Sequence, residues 1–218
     1  MWFLKAFNSN PQFAMLQVVI LVFSICLHEY MHARVALHLG DDTATRAGHL
    51  TLNPMKQMGW FSLILMFVVG IAFGSVPVNQ NKIRGKYGSA IVSFAGPFAN
   101  LMLAIMFFTA LIAVVQIPEP SDKNRIIVAA MLFASQLNLV LFILNIIPIP
   151  PLDGYGIAES FFPKLRSHSS EFINGAYLFL IMALFYSGQY IFLLANKIIS
   201  KGLLSSPIDM QHLIFYFA

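Results

Sequence analysis

The fold class that the sequence predicts is an all-α polytopic membrane protein. Of 218 residues, 58% are hydrophobic and only 10% charged, and the mean hydropathy is +0.75. That composition leaves too little polar surface to cover a water-soluble domain. Five stretches, residues 6–27, 57–81, 87–118, 126–152 and 172–196, carry no charge over about the 20 residues that cross a bilayer. Together they leave little room for a separate soluble domain, so residues 1–218 are expected to form one integral-membrane unit.

The net charge of +4 is small, and its basic residues are scattered through loops, as Lys82, Arg84 and Lys86 and again Lys164 and Arg166. Such charges meet lipid headgroups or set orientation, and nucleic acid is not an expected partner. A lone Cys26 forms no disulfide within the chain. Two positions before His28, it points to another side of a helix and reads as packing.

A first helix is expected from about Phe13 to Leu39, stopped by Gly40 and the Asp41-Asp42 pair. Lys5 ahead of an apolar stretch has the outline of a signal peptide, but no small-residue cleavage site follows, so the segment is expected to be retained. Residues 43–53 read as a small β-hairpin: Leu50 and Leu52 alternate with Thr51, Gly48 interrupts, and Asn53-Pro54 closes. Phe61 to Phe73 is apolar but short before Gly74, Ser75 and Pro77, and a polar, basic connection follows to residue 88. A long helix from about Ser89 to Val115 contains Gly96-Pro97-Phe98-Ala99-Asn100, read as close helix packing and a kink. Another, from about Arg125 to Asn145, dissolves in Pro148, Pro150 and Pro151, and a last one covers about Phe172 to Ala195.

His28-Glu29-Tyr30-Met31-His32 spells HExxH inside the first of these apolar helices. Residues four apart share a helix face, so both imidazoles can reach one ion while Glu29 projects beside them toward an attacking water. Buried histidines bonded to neighbouring backbone are the plain alternative. Against it stands the cost of ionisable groups at a helix centre in lipid, roughly 2.5 to 3.5 kcal/mol each, which makes a task the default expectation. A catalytic zinc takes three protein ligands and leaves one position open, so a third ligand is needed. Asp153, in the proline-broken run after the fourth long helix, is the best candidate, since non-helical backbone at membrane depth lines cavities. His49, Asp41, Asp42 and Glu159 are the weaker ones.

The runs HEYMH, GHLTLNP, GPFAN and NIIPIPPLDG, in this order, resemble the site-2 protease family of intramembrane zinc metalloproteases, in particular its compact bacterial and archaeal branch. The resemblance covers about residues 20–160. It implies one zinc per chain held by His28, His32 and Asp153, with Glu29 as catalytic base and Asn145 positioning the substrate backbone. It also implies a catalytic core over about residues 13–160, a C-terminal accessory helix over about 172–198, and a multi-pass location in a prokaryotic plasma membrane. Transmembrane protein substrates within the lipid bilayer would be its partners, cut as in regulated intramembrane proteolysis. The strand region with His49, Leu50 and Asn53 resembles the family's membrane-associated β-element, and Ala47 to Asn53 could hold an unwound substrate by strand addition. The chain departs from the pattern in having His49 where relatives often carry Arg, and Gly74 and Ser75 where they carry a tryptophan and a lysine.

Parity constrains the number of spans, because the three ligands must approach one ion. If every apolar segment crossed, the first and fourth long helices would be antiparallel and Asp153 would emerge on the side away from HExxH. Four full spans plus a re-entrant segment over residues 61–73 bring the ligands to similar depth, and a fully crossing additional span would need a deep return of residues 148–153. A membrane scaffold that keeps the fold without hydrolysis, or a metal or proton transporter, are the other function classes. The complete HEYMH and LDG runs argue against the scaffold, and the few polar residues along the helices argue against the transporter.

Overall fold

The computed structural model describes residue 7 and residues 10–68, 70–116, 122–167 and 169–206. Helix α1 covers Pro11–His38, α2 Gly59–Val68, α3 Gly88–Val115, α4 Asp122–Ile146, α5 Asp153–Phe161 and α6 Ser170–Leu204. Single helical turns lie at Thr43–Arg46 and Pro54–Gln57. Among the described residues three helices, Pro11–His38, Gly88–Val115 and Asn124–Ile146, are long and apolar enough to cross a membrane.

Each long helix starts and stops where local chemistry dictates. Asn10 caps α1, its Oδ1 accepting from Phe13 N at 3.0 Å, with Pro11 in the first turn, where a missing N–H costs nothing. Gly40 ends it in the left-handed region at φ +104, which a side chain would strain. Helix α3 is apolar all round but sorts its residues by size. Ile91, Phe94, Phe98, Met102 and Ile105 are exposed, while Ala95, Gly96, Ala99, Asn100 and Ala104 are buried. Large side chains outward and small ones inward is how a helix packs closely on its neighbours in lipid, and so broad an apolar exterior would be untenable in water. Leu111, Val115, Val128, Ile199 and Leu203 tie α3, α4 and α6 together.

The segment after α1 differs from the expected hairpin: no strand occurs among the described residues, and residues 43–57 form two helical turns joined by a bend. One buried side chain replaces the ladder that strand pairing would have supplied. Gln57 Nε2 donates to the carbonyls of His49, at 2.8 Å, and Thr51, and Asn53 Oδ1 accepts from Met55 N at 2.9 Å to start the second turn. The Leu50-Thr51-Leu52 alternation therefore has no sheet to belong to.

From α2 the chain doubles back. Ser62 Oγ donates to the Phe73 carbonyl and accepts from Phe73 N, Ser75 N donates to Gln57 O at 3.0 Å, and Asn79 N donates to Asp41 Oδ2 at 2.6 Å. Arg84 N then donates to Leu39 O at 2.8 Å, so α3 begins at the end of α1 where this excursion started. Helix α2 has 10 residues, about 15 Å of rise, half a hydrocarbon core. It docks on α1 through Ile25, Cys26, Met58 and Met66, which makes Cys26 part of the packing. The return leaves α3 antiparallel to α1 and α4 parallel to it.

Asp41 fastens this return. Buried, it accepts from Thr43 N at 3.0 Å, from the Thr43 hydroxyl and from Asn79 N. Burial alone would raise its pKa; the Thr43 hydroxyl, the backbone N–H groups of Asn79 and Thr43 and the nearby Lys82 outweigh it and hold the pKa below the usual carboxylate value. A depressed folded-state pKa contributes stability that is present above the unfolded value, about 3.9, and is lost as pH falls through the folded one. Protection of residues 75–84 from hydrogen exchange should thus be constant from pH 7 to 5 and fall only under stronger acid. Asp41→Ala should weaken it at neutral pH by about 2 kcal/mol, the worth of one charge-assisted bond.

Candidate metal centre

Helix α1 carries His28, Glu29 and His32 on the side turned into the bundle, all three buried. Their surroundings come from α3. His28 Nδ1 lies 2.6 Å from Asn100 Oδ1 and His32 Nδ1 lies 2.7 Å from the Val92 carbonyl. Both partners accept, so the ring protons belong on Nδ1 and each Nε2 presents a lone pair.

Helix α4 and its exit bring the carboxylate. Residues 147–152 leave α4 as a proline-broken turn, with a cis peptide between Pro150 and Pro151, and Asp153 opens α5. The turn folds tightly against the end of α4: a side chain at Gly154 would collide with the carbonyls of Ile146 and Ile147. Asp153 Oδ2 is thereby placed 2.9 Å from His28 Nε2 and 3.3 Å from His32 Nε2, and the two Nε2 atoms are 3.1 Å apart. Tetrahedral zinc, with ligands at about 2.0 to 2.2 Å, holds its ligand atoms roughly 3.3 Å from one another. Asp153 Oδ2 is buried and has no hydrogen-bond partner. Three lone-pair donors converging at that spacing fit a divalent cation, and His28, His32 and Asp153 are the residues that could hold it.

Two glycines frame the cluster. A Cβ at Gly96 would strike His32 Nε2 and stand 2.5 Å from His28 Nε2, so α3 approaches the imidazoles as closely as a backbone can. A Cβ at Gly74 would strike Glu29 Cγ and stand 2.6 Å from its Oε1, so the irregular segment 71–79 crosses Glu29 at that residue. Gly96→Ala is expected to push the imidazoles apart and lower zinc content to well below one per chain, while Gly175→Ala, with open space around its Cβ, should leave it unchanged. Metal analysis of the purified variants checks both.

The other expected residues have local duties. Asn145 Nδ2 donates to Leu141 O at 3.0 Å within its own helix, and Asn53 caps a turn. The His49 carbonyl is held by Gln57, its Nδ1 is buried without a partner, and Leu50 is half-buried in the same loop. Asp41 and Asp42 are engaged with Thr43, Asn79, Arg46 and Lys82, away from the ligand cluster. Asn100, read from sequence as helix packing, is fully buried between the helices and faces His28 Nδ1 at 2.6 Å, a partnership that no local pattern announces.

Comparison with known proteins agrees with this geometry. Residues 110–187 match the model of Peptidase family M50, a stretch that contains Asp153 and lies beyond HExxH. The chain is 36% identical over 180 residues to "Putative zinc metalloprotease YwhC" of Bacillus subtilis, covering 80% of this chain and 82% of that protein. It is 34% identical over 146 residues to "Putative zinc metalloprotease Rip2" of Mycolicibacterium smegmatis, and 32% over 168 residues to the protein of that name in Mycobacterium tuberculosis. It spans 54% and 61% of the length of those two. No solved structure matches. With two imidazoles and a carboxylate converging beside a buried glutamate in an apolar bundle, the chain belongs to Peptidase family M50, the site-2 protease family, and is a zinc metallopeptidase.

Proposed function

We infer that the chain is an intramembrane endopeptidase, cutting peptide bonds within or near transmembrane helices of membrane-protein substrates in a prokaryotic plasma membrane, as in regulated intramembrane proteolysis. The observation that carries this reading is the burial of His28, Glu29 and His32 in the C-terminal half of a span, Pro11–His38, whose outer face is apolar, with Val19 and Phe23 exposed. In this reading α1, α3, α4 and α6 cross the bilayer, and α2 with the segment 71–79 dips in and returns.

Zinc, when bound, supplies positive charge that acidifies water and polarises a peptide carbonyl. His28, His32 and Asp153 hold it. Glu29 accepts one proton from the attacking water as the carbon–oxygen bond forms, and delivers it to the amine nitrogen as the carbon–nitrogen bond breaks. Helical substrate hides its carbonyls in hydrogen bonds and must unwind before this step. The non-helical backbone beside Glu29 is the segment at Gly74, and an unwound substrate is assigned to pair along it in preference to the bent loop holding His49, Leu50 and Asn53. Asn145 stands near the end of α4, before the proline-broken run that leads to Asp153, and is assigned to the substrate backbone on the resemblance alone. The test is cleavage of a reporter transmembrane substrate in proteoliposomes by the wild type and by Glu29→Gln; cleavage surviving in the variant sinks the reading.

A further inference from the structure

A line of buried polar side chains leads away from His28 across three helices. Asn100 Oδ1 on α3 faces His28 Nδ1 at 2.6 Å, and Asn100 Nδ2 donates to Asn138 Oδ1 on α4 at 2.9 Å. Asn138 Nδ2 in turn donates to Ser24 Oγ on α1 and to the carbonyl of Ala134 in its own helix, both at 2.9 Å. Ser24, Asn100 and Asn138 are all 0% exposed. Without water to take up an unmet bond, the order of donors and acceptors along such a line is tightly constrained.

The Ala134 carbonyl can only accept, so it draws the NH₂ end of Asn138 and turns Oδ1 toward Asn100. Asn100 must answer with its own NH₂ and turn Oδ1 toward His28. His28 must then carry its proton on Nδ1, which bares Nε2. Were Asn138 reversed, Asn100 would reverse with it, present an NH₂ to Nδ1 and move the ring proton to Nε2, aimed at the ligand cluster.

We propose that Asn138 is a positioning residue for the metal centre: a backbone carbonyl anchors its amide, and the polarity passes through Asn100 to hold His28 in the tautomer that binds metal. Outer partners of this kind typically change metal affinity about 10- to 100-fold. Gluing α1, α3 and α4 together is the competing role, and the molecule contains its own control. Ser135, one turn away and equally buried, donates to Ala104 O at 3.0 Å between the same α4 and α3, with no link to His28.

The inference rests on His28 being a zinc ligand, and the experiment separates the two. Zinc affinity is measured by competition with a chromophoric chelator on the purified full chain in detergent, beside thermal unfolding of each variant. Asn138→Leu, with Asn138→Ala as the second removal should leucine prevent folding, is expected to weaken zinc about 10- to 100-fold. Ser135→Ala is expected to lower the melting temperature while leaving zinc affinity within about twofold. Asn138→Asp, isosteric and in its neutral form still offering one donor and one acceptor, is expected to stay within about threefold. Wild-type affinity in both removal variants, or an equal loss in Ser135→Ala or in Asn138→Asp, overturns the relay. Stoichiometric zinc in His28→Ala overturns the ligand assignment instead.

Discussion

Replacing Glu29 by Gln is expected to reduce cleavage of a reporter transmembrane substrate by about a hundred- to ten-thousand-fold, the usual worth of a positioned general base, while zinc stays at one per chain. The amide has the shape of the carboxylate and fits beside Gly74, where there is no room for an added carbon. It cannot take a proton from water at neutral pH, so only the proton transfer is removed. Glu29 also lies outside the ligand triangle of His28, His32 and Asp153, which is why zinc should remain. Turnover in proteoliposomes, read beside metal content of the same preparation, checks both halves.

Asp153→Ala should remove zinc itself. Among the described residues Asp153 supplies the only carboxylate oxygen in a cluster with both Nε2 atoms, and a two-imidazole remnant gives up a ligand and the one negative charge among the three. The loss should exceed the roughly 10- to 100-fold that outer-sphere changes cause, leaving the purified variant without stoichiometric metal. Asp153 opens α5 without a side-chain capping bond, so the fold should survive. Unfolding temperature in metal-free buffer, equal for variant and wild type, would show that the zinc loss is local.

Much of the centre was legible in the sequence because its parts obey short rules. Helical periodicity puts His28, Glu29 and His32 together, and the proline-broken run after an apolar helix singles out Asp153 over His49, Asp41, Asp42 and Glu159; its carboxylate lies 2.9 and 3.3 Å from the two Nε2 atoms. Helices α1 and α4 run parallel, as the parity argument expects when the segment between α1 and α3 returns instead of crossing. The loop at 43–57 was not legible, because strand alternation over Leu50, Thr51 and Leu52 assumes a neighbour strand, whereas the neighbour is the side chain of Gln57. Gln57 comes 8 and 6 positions after the two carbonyls it holds, where no local pattern announces it. Asn100 and Asn138 were hidden for a related reason: their meaning comes from facing His28 and Ser24 across the bundle, 72 and 114 positions apart in the chain. The glycines at 74 and 96 likewise gain their role from what passes beside them.

In the proposed mechanism one zinc is bound by two imidazoles and a carboxylate from distant parts of the chain. Zinc-edge X-ray absorption on the purified protein tests it most directly, together with zinc content of His28→Ala and Asp153→Ala. A single zinc site with nitrogen and oxygen neighbours at about 2.0 to 2.2 Å, its signal lost in both variants, is the predicted result. A sulfur neighbour, which only Cys26 or a methionine could supply, or full zinc content in either variant, would contradict it.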